Sequence, residues 1–336
     1  MIDYLVSVLT LVSIFAILAI GLNVQWGWTG MLNLTYITFV AVGAYVSAGL
    51  DVGPPIYAGQ QTYILSLSLP FPVAALGGTL AAGAAGALIG AIALRRLRAD
   101  YFAIVTLSLG LVVYQVVAQN LGLFGGQVGM FGIPQPFANN LPFSPEEYTF
   151  FYLGLCLFAL ACVYLLARHL YRSPFGRTLR AIRDDEVAAQ AFARPVFWFK
   201  LRAFILGSLI AGFGGALLAH FVGAFNPAGW TPGETFLLYT AIFLGGTGNN
   251  LGAILGVFLF TGVISEATRN FIPMIPGNPD ANEALRGVVG GLIIILVLRF
   301  RPQGILPEPR DKDTDRDKDN NASASLPVAP ATPQLT

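Results

Sequence analysis

Residues 5–24 read LVSVLTLVSIFAILAIGLNV, twenty consecutive positions without a charged side chain. An α-helix needs about 20 apolar residues to cross the hydrocarbon core of a bilayer. No basic region precedes this stretch, and its apolar run is longer than the hydrophobic region of a cleavable signal peptide. We therefore expect residues 5–24 to form a retained transmembrane helix.

The composition of the whole chain supports the same interpretation. Of the 336 residues, 55% are hydrophobic and only 11% are charged, whereas soluble domains carry about 25% charged residues. Twenty of the 37 charged residues lie in two segments, 172–202 and 308–319, and the stretches between them are apolar. This pattern excludes an ordinary soluble enzyme. The net charge of +1 provides no overall field that would recruit nucleic acid, so we expect the bilayer to be the main environment of the chain.

Further apolar stretches predict additional membrane spans. They cover residues 31–50, 72–94, 101–120, 148–171, 201–225, 235–271 and 284–299. The sequence GGTGNN at 245–250 interrupts one of them, so either two spans meet there at a tight turn or a broken helix precedes a re-entrant segment. With a tight turn, the chain is an all-α, polytopic bundle of about nine spans, with a range of eight to ten.

The basic residues predict the orientation and the domain boundaries. Clusters begin near residues 95, 172 and 299, and the positive-inside rule places all three in the cytoplasm. An odd number of spans before the first cluster then places the N-terminus outside. Residues 308–336 have no apolar face. We expect a transmembrane domain at 1–307 and a disordered cytoplasmic tail at 308–336.

Two stripes of small residues recur at a spacing of four within predicted spans. Such stripes let the backbone of another helix approach closely. They consist of Gly78, Ala82, Gly86 and Gly90 in one span and Gly207, Ala211 and Gly215 in another.

The charged segment 172–200 predicts an amphipathic helix between two spans. Ser173 and Pro174 are favourable residues for a helix start, and Pro195 ends the pattern. Apolar residues recur along one side, while basic residues and the acidic run 184–186 occupy much of the remainder. The mixed charge favours docking to a soluble protein over lying on a lipid surface. A solvated helix without a partner remains an alternative.

Several ordered motifs resemble one family. The sequence GRTLRAIRDDEVAA at 176–189 is similar to the coupling segment of branched-chain amino acid ABC-transporter permeases of the LivM-like branch. DYFAIVTL at 100–107 and FRPQGIL at 300–306 resemble other family signatures. The chain departs from the family pattern at Ala193, where glycine is usual, and within 32–36 and 125–129.

This resemblance implies a permease subunit, without catalytic residues, that imports branched-chain (hydrophobic) amino acids across a bacterial inner membrane. The chain lacks the GxxxxGK[ST] nucleotide loop, so we expect no cofactor here and ATP hydrolysis on two separate ATP-binding subunits. The other implied partners are a homologous LivH-like permease and an extracytoplasmic substrate-binding protein. The predicted ATPase-coupling residues are Gly176, Arg177, Leu179, Arg180, Ile182, Arg183, Asp184, Glu186 and Ala189.

Other functions are compatible with the sequence. A related permease could carry urea, amides or other amino acids, and an autonomous secondary transporter or channel would not need the coupling helix. No catalytic motif favours an intramembrane enzyme. Cys156 and Cys162 do not have the spacing of a zinc site, so we expect no metal.

Uncharged polar residues within the predicted spans are candidates for the substrate path. They are Asn23, Gln115, Asn249 and Asn250. An alternative interpretation of the last two is that they serve only to make the turn that interrupts 235–271.

Overall fold

The computed structural model describes residues 2–54, 63, 65–96, 99–137, 144–191, 195–266 and 303–308, with isolated positions between 285 and 300. Helices account for nearly all of the regular structure, which confirms the predicted all-α class. The helices are α1 (Ile2–Gln25), α2 (Tyr36–Asp51), α3 (Phe71–Arg96), α4 (Ala99–Gln119), α5 (Leu121–Phe124), α6 (Pro145–Arg172), α7 (Pro174–Asp184), α8 (Glu186–Ala191), α9 (Val196–Val222), α10 (Pro232–Gly245) and α11 (Asn250–Val257).

Short elements complete the fold. A π-helical stretch, Phe258–Ser265, continues α11, and 3₁₀ turns occupy Gly126–Val128 and Pro227–Trp230. Two-residue strands, β1 (Met130–Phe131) and β2 (Ala224–Phe225), pair antiparallel. We call the end of the bundle that carries α7 the charged end, and the end that carries this strand pair the opposite end.

The number of spanning helices is smaller than predicted. Within the described ranges, α1, α3, α4, α6 and α9 are long and apolar enough to cross a membrane, and α10 with the α11–π stretch adds at most a sixth. That pair is bent by 116° at the predicted interruption, and the 14 residues of α10 extend only about 21 Å. The described residues therefore contain five or at most six of the roughly nine spans expected for the whole chain. The span predicted at 284–299 falls on residues of which only isolated positions are described.

Two predicted boundaries also change. The span predicted at 31–50 becomes a helix that starts only at Tyr36, because residues 26–35 form an irregular segment. Glu308, which we assigned to the tail, makes ordered contacts with Tyr171 and Arg183. The packed part of the chain therefore extends at least to residue 308, and residues 309–336 lie outside the described ranges.

Helix α9 forms the centre of the bundle, where it packs against α1, α2 and α3. The closest contact joins α9 to α2. A Cβ atom on Gly43 would lie 2.2 Å from the carbonyl oxygen of Gly212, and one on Gly215 would lie 2.1 Å from the carbonyl oxygen of Val40. Both distances are far below van der Waals contact, so only glycine permits this approach of the two backbones.

The two predicted stripes both lie in helix contacts, but they do not face each other. The α3 stripe faces α2 and α9: a Cβ on Gly78 would meet the carbonyl oxygen of Gly43, one on Gly86 would meet Ser208, and one on Gly90 would meet Leu201 and Phe204. Ala82 is fully buried against Gly212. The α9 stripe faces elsewhere. Gly207 lies against Gln25 of α1, Gly215 against Val40 of α2, and Ala211 is fully buried.

Buried polar side chains satisfy the irregular segment 26–35 inside the bundle. The amide of Gln25 donates to the carbonyl oxygen of Phe204 (2.9 Å) and accepts from the amide of Asn33 (2.7 Å). The hydroxyl of Tyr239 accepts from the backbone N–H of Asn33 and donates to its carbonyl oxygen. Non-helical backbone is tolerated at membrane depth only when protein groups satisfy it in this way.

At the opposite end, a buried hydrogen bond between side chains joins α9 to α2. His220 lies on α9 and is fully buried, and its Nε2 is 2.9 Å from Oδ2 of Asp51, the last residue of α2. The other ring nitrogen lies 2.8 Å from the carbonyl oxygen of Ala216. This histidine therefore connects two helices.

Replacement of Gly43 by alanine should destabilise the bundle, because the new methyl group would meet the backbone of Gly212. Overpacking of this kind costs about 1–3 kcal/mol, and the expected result is a lower midpoint of thermal unfolding in detergent. Gly154 is the matched control, since a Cβ there meets no atom within 4 Å. Gly154→Ala should leave the midpoint unchanged or raise it slightly, because alanine favours helix. Equal midpoints for the two variants would contradict the packing argument.

Candidate functional site

The charged end is built around the amphipathic segment, which forms two short helices. The side chain of Ser173 accepts a hydrogen bond from the backbone N–H of Gly176 and Pro174 occupies the first turn, so α7 starts where the sequence predicts. Asp185 then adopts an extended conformation, and its carboxylate accepts from the N–H of Ala188. The single helix predicted over 174–194 is therefore broken at Asp185.

The apolar side of this segment packs onto its own bundle. Leu179 is 0% exposed and Ile182 is 2% exposed, while Ala189 is also buried and packs with Ile182 and Val196. A Cβ on Gly176 would lie 2.4 Å from the carbonyl oxygen of Tyr171, at the corner between α6 and α7. Leu179 and Ile182, which we expected among the coupling residues, thus have their side-chain surface covered by their own chain.

The polar residues of the segment divide into an outward group and a group that is held by the bundle. Arg177 and Asp184 are exposed. The guanidinium of Arg180 lies 4.1 Å from the centre of the Tyr171 ring, a cation–π contact. Glu186 is exposed but accepts a 2.6 Å bond from Lys200 of α9. The outward surface therefore centres on Arg177, Asp184 and the following turn.

An apolar residue on that outward surface was passed over in the sequence. Val187 is 77% exposed, between the acidic run and Ala188. Val187 belongs to the motif at 176–189, but the spacing of the apolar residues along the predicted helix did not place it on the apolar side. A valine with charged neighbours gives the outward surface the mixed character of a protein-docking site.

Arg183 connects the segment to two other parts of the chain. It donates to Oε2 of Glu308 (2.9 Å) and to the carbonyl oxygen of Gly27, just beyond α1. Tyr171 donates to the other oxygen of the same carboxylate (2.8 Å). Burial of the Arg183 guanidinium lowers its pKa, but the hydrogen bond and charge of Glu308, followed by Asp184, outweigh this effect and hold the pKa above its ordinary value. We call Arg183, Glu308 and Tyr171 the carboxylate clamp.

The segment 303–308 lies along the interruption between α10 and α11. The N–H of Ile305 donates to the carbonyl oxygen of Leu244 (3.0 Å), and the N–H of Leu306 donates to that of Gly245 (2.8 Å). These bonds satisfy carbonyl groups at the end of α10 that have no partner within the helix. The carboxylate clamp therefore joins α7 to the helix interruption through the backbone of 303–308.

Three of the four candidate path residues meet at this interruption. The amide of Asn23 donates to Asn250 (2.9 Å), and its oxygen accepts from the N–H of Gly248 (3.0 Å). The side chain of Asn249 caps α11 by accepting from the N–H groups of Leu251 and Gly252. These residues stabilise the turn, as the alternative interpretation of Asn249 and Asn250 expected. Gln115 is not brought to them and lies exposed on α4.

The buried polar cluster around Gln25, Asn33 and Tyr239 was missed by the sequence argument. The detectable signal was polarity inside otherwise apolar stretches, with Gln25 and Asn33 only eight residues apart. Within the described residues, no group of three or more His, Cys, Asp or Glu side chains could hold a metal ion.

Replacement of Glu308 by glutamine should loosen α7, because the variant removes the charge that binds Arg183. Loss of charged hydrogen bonds of this kind costs about 1–3 kcal/mol, and both side chains are 26% exposed, so we expect the lower part of this range. The measurement is hydrogen exchange of the α7 amides in the purified protein, where protection should fall.

The control for this variant is Glu146→Gln, which removes an exposed carboxylate at the start of α6. It should leave the exchange of α7 unchanged. Identical protection of α7 in the two variants would contradict the clamp.

Comparison with known proteins assigns the chain to a family. Residues 4–298 match the family described as branched-chain amino acid transport system / permease component. The high-affinity branched-chain amino acid transport system permease protein LivM of Escherichia coli K12 is 33% identical over 326 residues, which cover 91% of this chain and 70% of LivM.

More distant relatives cover similar lengths. The probable branched-chain amino acid transport permease protein LivM of Methanocaldococcus jannaschii is 28% identical over 91% of this chain and 94% of its own length. The LivH permease protein of the same transport system in Escherichia coli K12 is 26% identical over 89% of this chain and 93% of its own. No solved structure matches the chain.

Proposed function

Since this chain belongs to the family of branched-chain amino acid transport permease components, we propose that it is the membrane permease subunit of an ATP-driven importer of branched-chain amino acids. The family match and the five spanning helices make it a multi-pass membrane protein. We place it in a bacterial inner membrane, where apolar amino acids would enter the cell. Its own residues would form the path and transmit force, while ATP would be bound and hydrolysed on two partner subunits.

The observation that carries this proposal is the amphipathic α7, which buries one side in its own bundle and exposes the other. When a soluble protein displaces a helix attached in this way, the movement is transmitted to the membrane-spanning helices. A carrier that works alone has no need for such a surface. The outward residues Arg177, Asp184 and Val187 would contact an ATP-binding subunit. The buried Leu179 and Ile182 would hold α7 rigidly on the bundle.

The remaining partners follow from the relatives. Both LivM and LivH proteins resemble this chain, and both names describe permeases of a branched-chain amino acid system. We therefore propose that this subunit pairs with a second, LivH-like permease and receives its substrate from an extracytoplasmic binding protein. Closure of the ATP-binding subunits would rock the two bundles and alternate access to the path between them.

Val187→Asp should uncouple transport, because it places a carboxylate on the outward surface where a partner would bury it. We expect uptake of leucine into proteoliposomes that contain the complete importer to fall at least about tenfold, which corresponds to about 1.4 kcal/mol. The thermal stability of the permease should not change, since the side chain is almost fully exposed.

Val187→Ala is the matched control, because it removes bulk at the same position without adding charge. Its uptake should stay within about twofold of the parent, less than 0.5 kcal/mol. Normal uptake and normal ATPase stimulation in Val187→Asp would contradict the assignment of the coupling surface. Uptake by the permease alone in ATP-free vesicles would instead identify an autonomous carrier.

The substrate is tested separately through the binding protein encoded beside this permease. We expect calorimetric titration to show binding of leucine, isoleucine and valine. Binding of urea or an amide without any binding of amino acids would leave the importer assignment intact and show that the proposed substrate is wrong.

A further inference from the structure

A cavity of about 400 Å³ lies at the charged end between α6, α7 and the start of α11. The residues of its lining that matter here are Tyr164, Arg168, Arg172, Arg177, Arg180 and Leu251. Four guanidinium groups thus surround one cavity. Two of them, Arg168 and Arg172, belong to the last two turns of α6 and were not among the predicted coupling residues.

All the charged residues in the lining of this cavity are arginines. Among the described residues, its lining includes no carboxylate. Glu308 contacts Tyr171 of the lining, but both of its oxygens are bonded, one by Tyr171 and one by Arg183. Arginines held near one another repel, and an anion with several acceptor oxygens in the cavity would relieve that repulsion. Arginine binds phosphate through such oxygens with short, charge-assisted hydrogen bonds.

The cavity continues into an apolar surface. Tyr164 and Leu251 form its apolar side, and Tyr164 precedes the last residue of α6 by eight positions, about 12 Å along the helix. Exposed apolar side chains also lie along both elements, namely Leu165 and Phe158 on α6, Leu251 on α11 and Phe258 at the start of the π-helical stretch that continues α11. Each pair is separated by seven residues, so its members lie on one helix face. Helices α6 and α11 contact each other.

A cavity that suits an anion and lies next to exposed apolar helix faces matches the two parts of a phospholipid, its charged headgroup and its apolar acyl chains. We propose that this cavity binds the phosphate headgroup of an anionic phospholipid, with an acyl chain lying along the exposed faces of α6 and α11. Basic pockets between membrane helices at the cytoplasmic side are recognised headgroup sites. A carboxylate of a soluble partner would suit the arginines, but it would not use the apolar residues that lie deeper along α6. The site does not depend on the proposed substrate. It shares Arg177 with the proposed coupling surface, whereas Arg168 and Arg172 belong to the cavity alone.

The test measures lipid binding to the purified full-length chain in neutral detergent. Phosphatidylglycerol and phosphatidylcholine, matched in acyl chains, are titrated separately, and bound lipid is counted by native mass spectrometry. We expect phosphatidylglycerol to bind at least about tenfold more tightly. Arg168→Gln combined with Arg172→Gln should remove this preference, since each basic residue near a membrane surface adds about fivefold to the affinity for anionic lipid.

Two further variants control for charge and folding. Arg202→Gln removes an exposed arginine of α9 that does not line the cavity, and it should keep the preference. Arg168→Lys keeps the charge and should retain most of the binding. Equal binding of the two lipids, or a preference that survives the double variant with its thermal unfolding unchanged, would overturn the proposal.

Two further measurements test whether a free anion or a partner protein occupies the cavity instead of a lipid. If inorganic phosphate at millimolar concentration fills the cavity and phosphatidylglycerol adds no binding, the site takes a free anion and the lipid proposal is wrong. If phosphatidylglycerol binds the isolated permease but is displaced when the ATP-binding subunits assemble, the cavity is a protein-docking surface and the proposal is also wrong. Retention of the lipid in the assembled importer supports it.

Discussion

The contact between α9 and its neighbours α2 and α3 is the interaction on which the rest of the structure depends. It requires Gly43, Gly78, Gly212 and Gly215, whose missing side chains let carbonyl groups approach the neighbouring helix. In an apolar solvent, helices gain little from hydrophobic burial against one another, so close packing must supply the attraction. The position of α9 in turn places His220 against Asp51 at one end and Lys200 against Glu186 at the other.

Two irregular stretches in the described part of the bundle, residues 26–35 and the interruption at 246–249, are both joined to α1. Asn23 bonds the interruption, and Gln25 bonds the irregular segment. Polar residues in these spans therefore serve first to satisfy backbone that could not otherwise lie at membrane depth. Arg183 and Glu308 extend the same connection to α7. A displacement of α7 would consequently reach α1, α10 and α11 together.

Much of the architecture could be predicted because the bilayer restricts the possible patterns. Long apolar runs located α1, α3, α4, α6 and α9, and Ser173 with Pro174 located the start of α7. The direction of the apolar side of α7 could not be predicted. Leu179 and Ile182 would look the same in the sequence whether they faced a partner or their own bundle. The ordered position of Glu308 was equally hidden, because a single carboxylate in a highly charged stretch is typical of a solvated tail.

By itself, the sequence determined the membrane environment, the all-α class, the family and the presence of an amphipathic segment, because these properties depend on local composition, periodicity and motif order. Only the tertiary structure decided which residues that segment exposes, that Asn23, Asn249 and Asn250 stabilise a turn, and that four arginines from two helices surround one cavity. Those facts depend on how separate helices pack against one another, which local sequence patterns do not specify. Helix α6 supplies two of the arginines and α7 the other two.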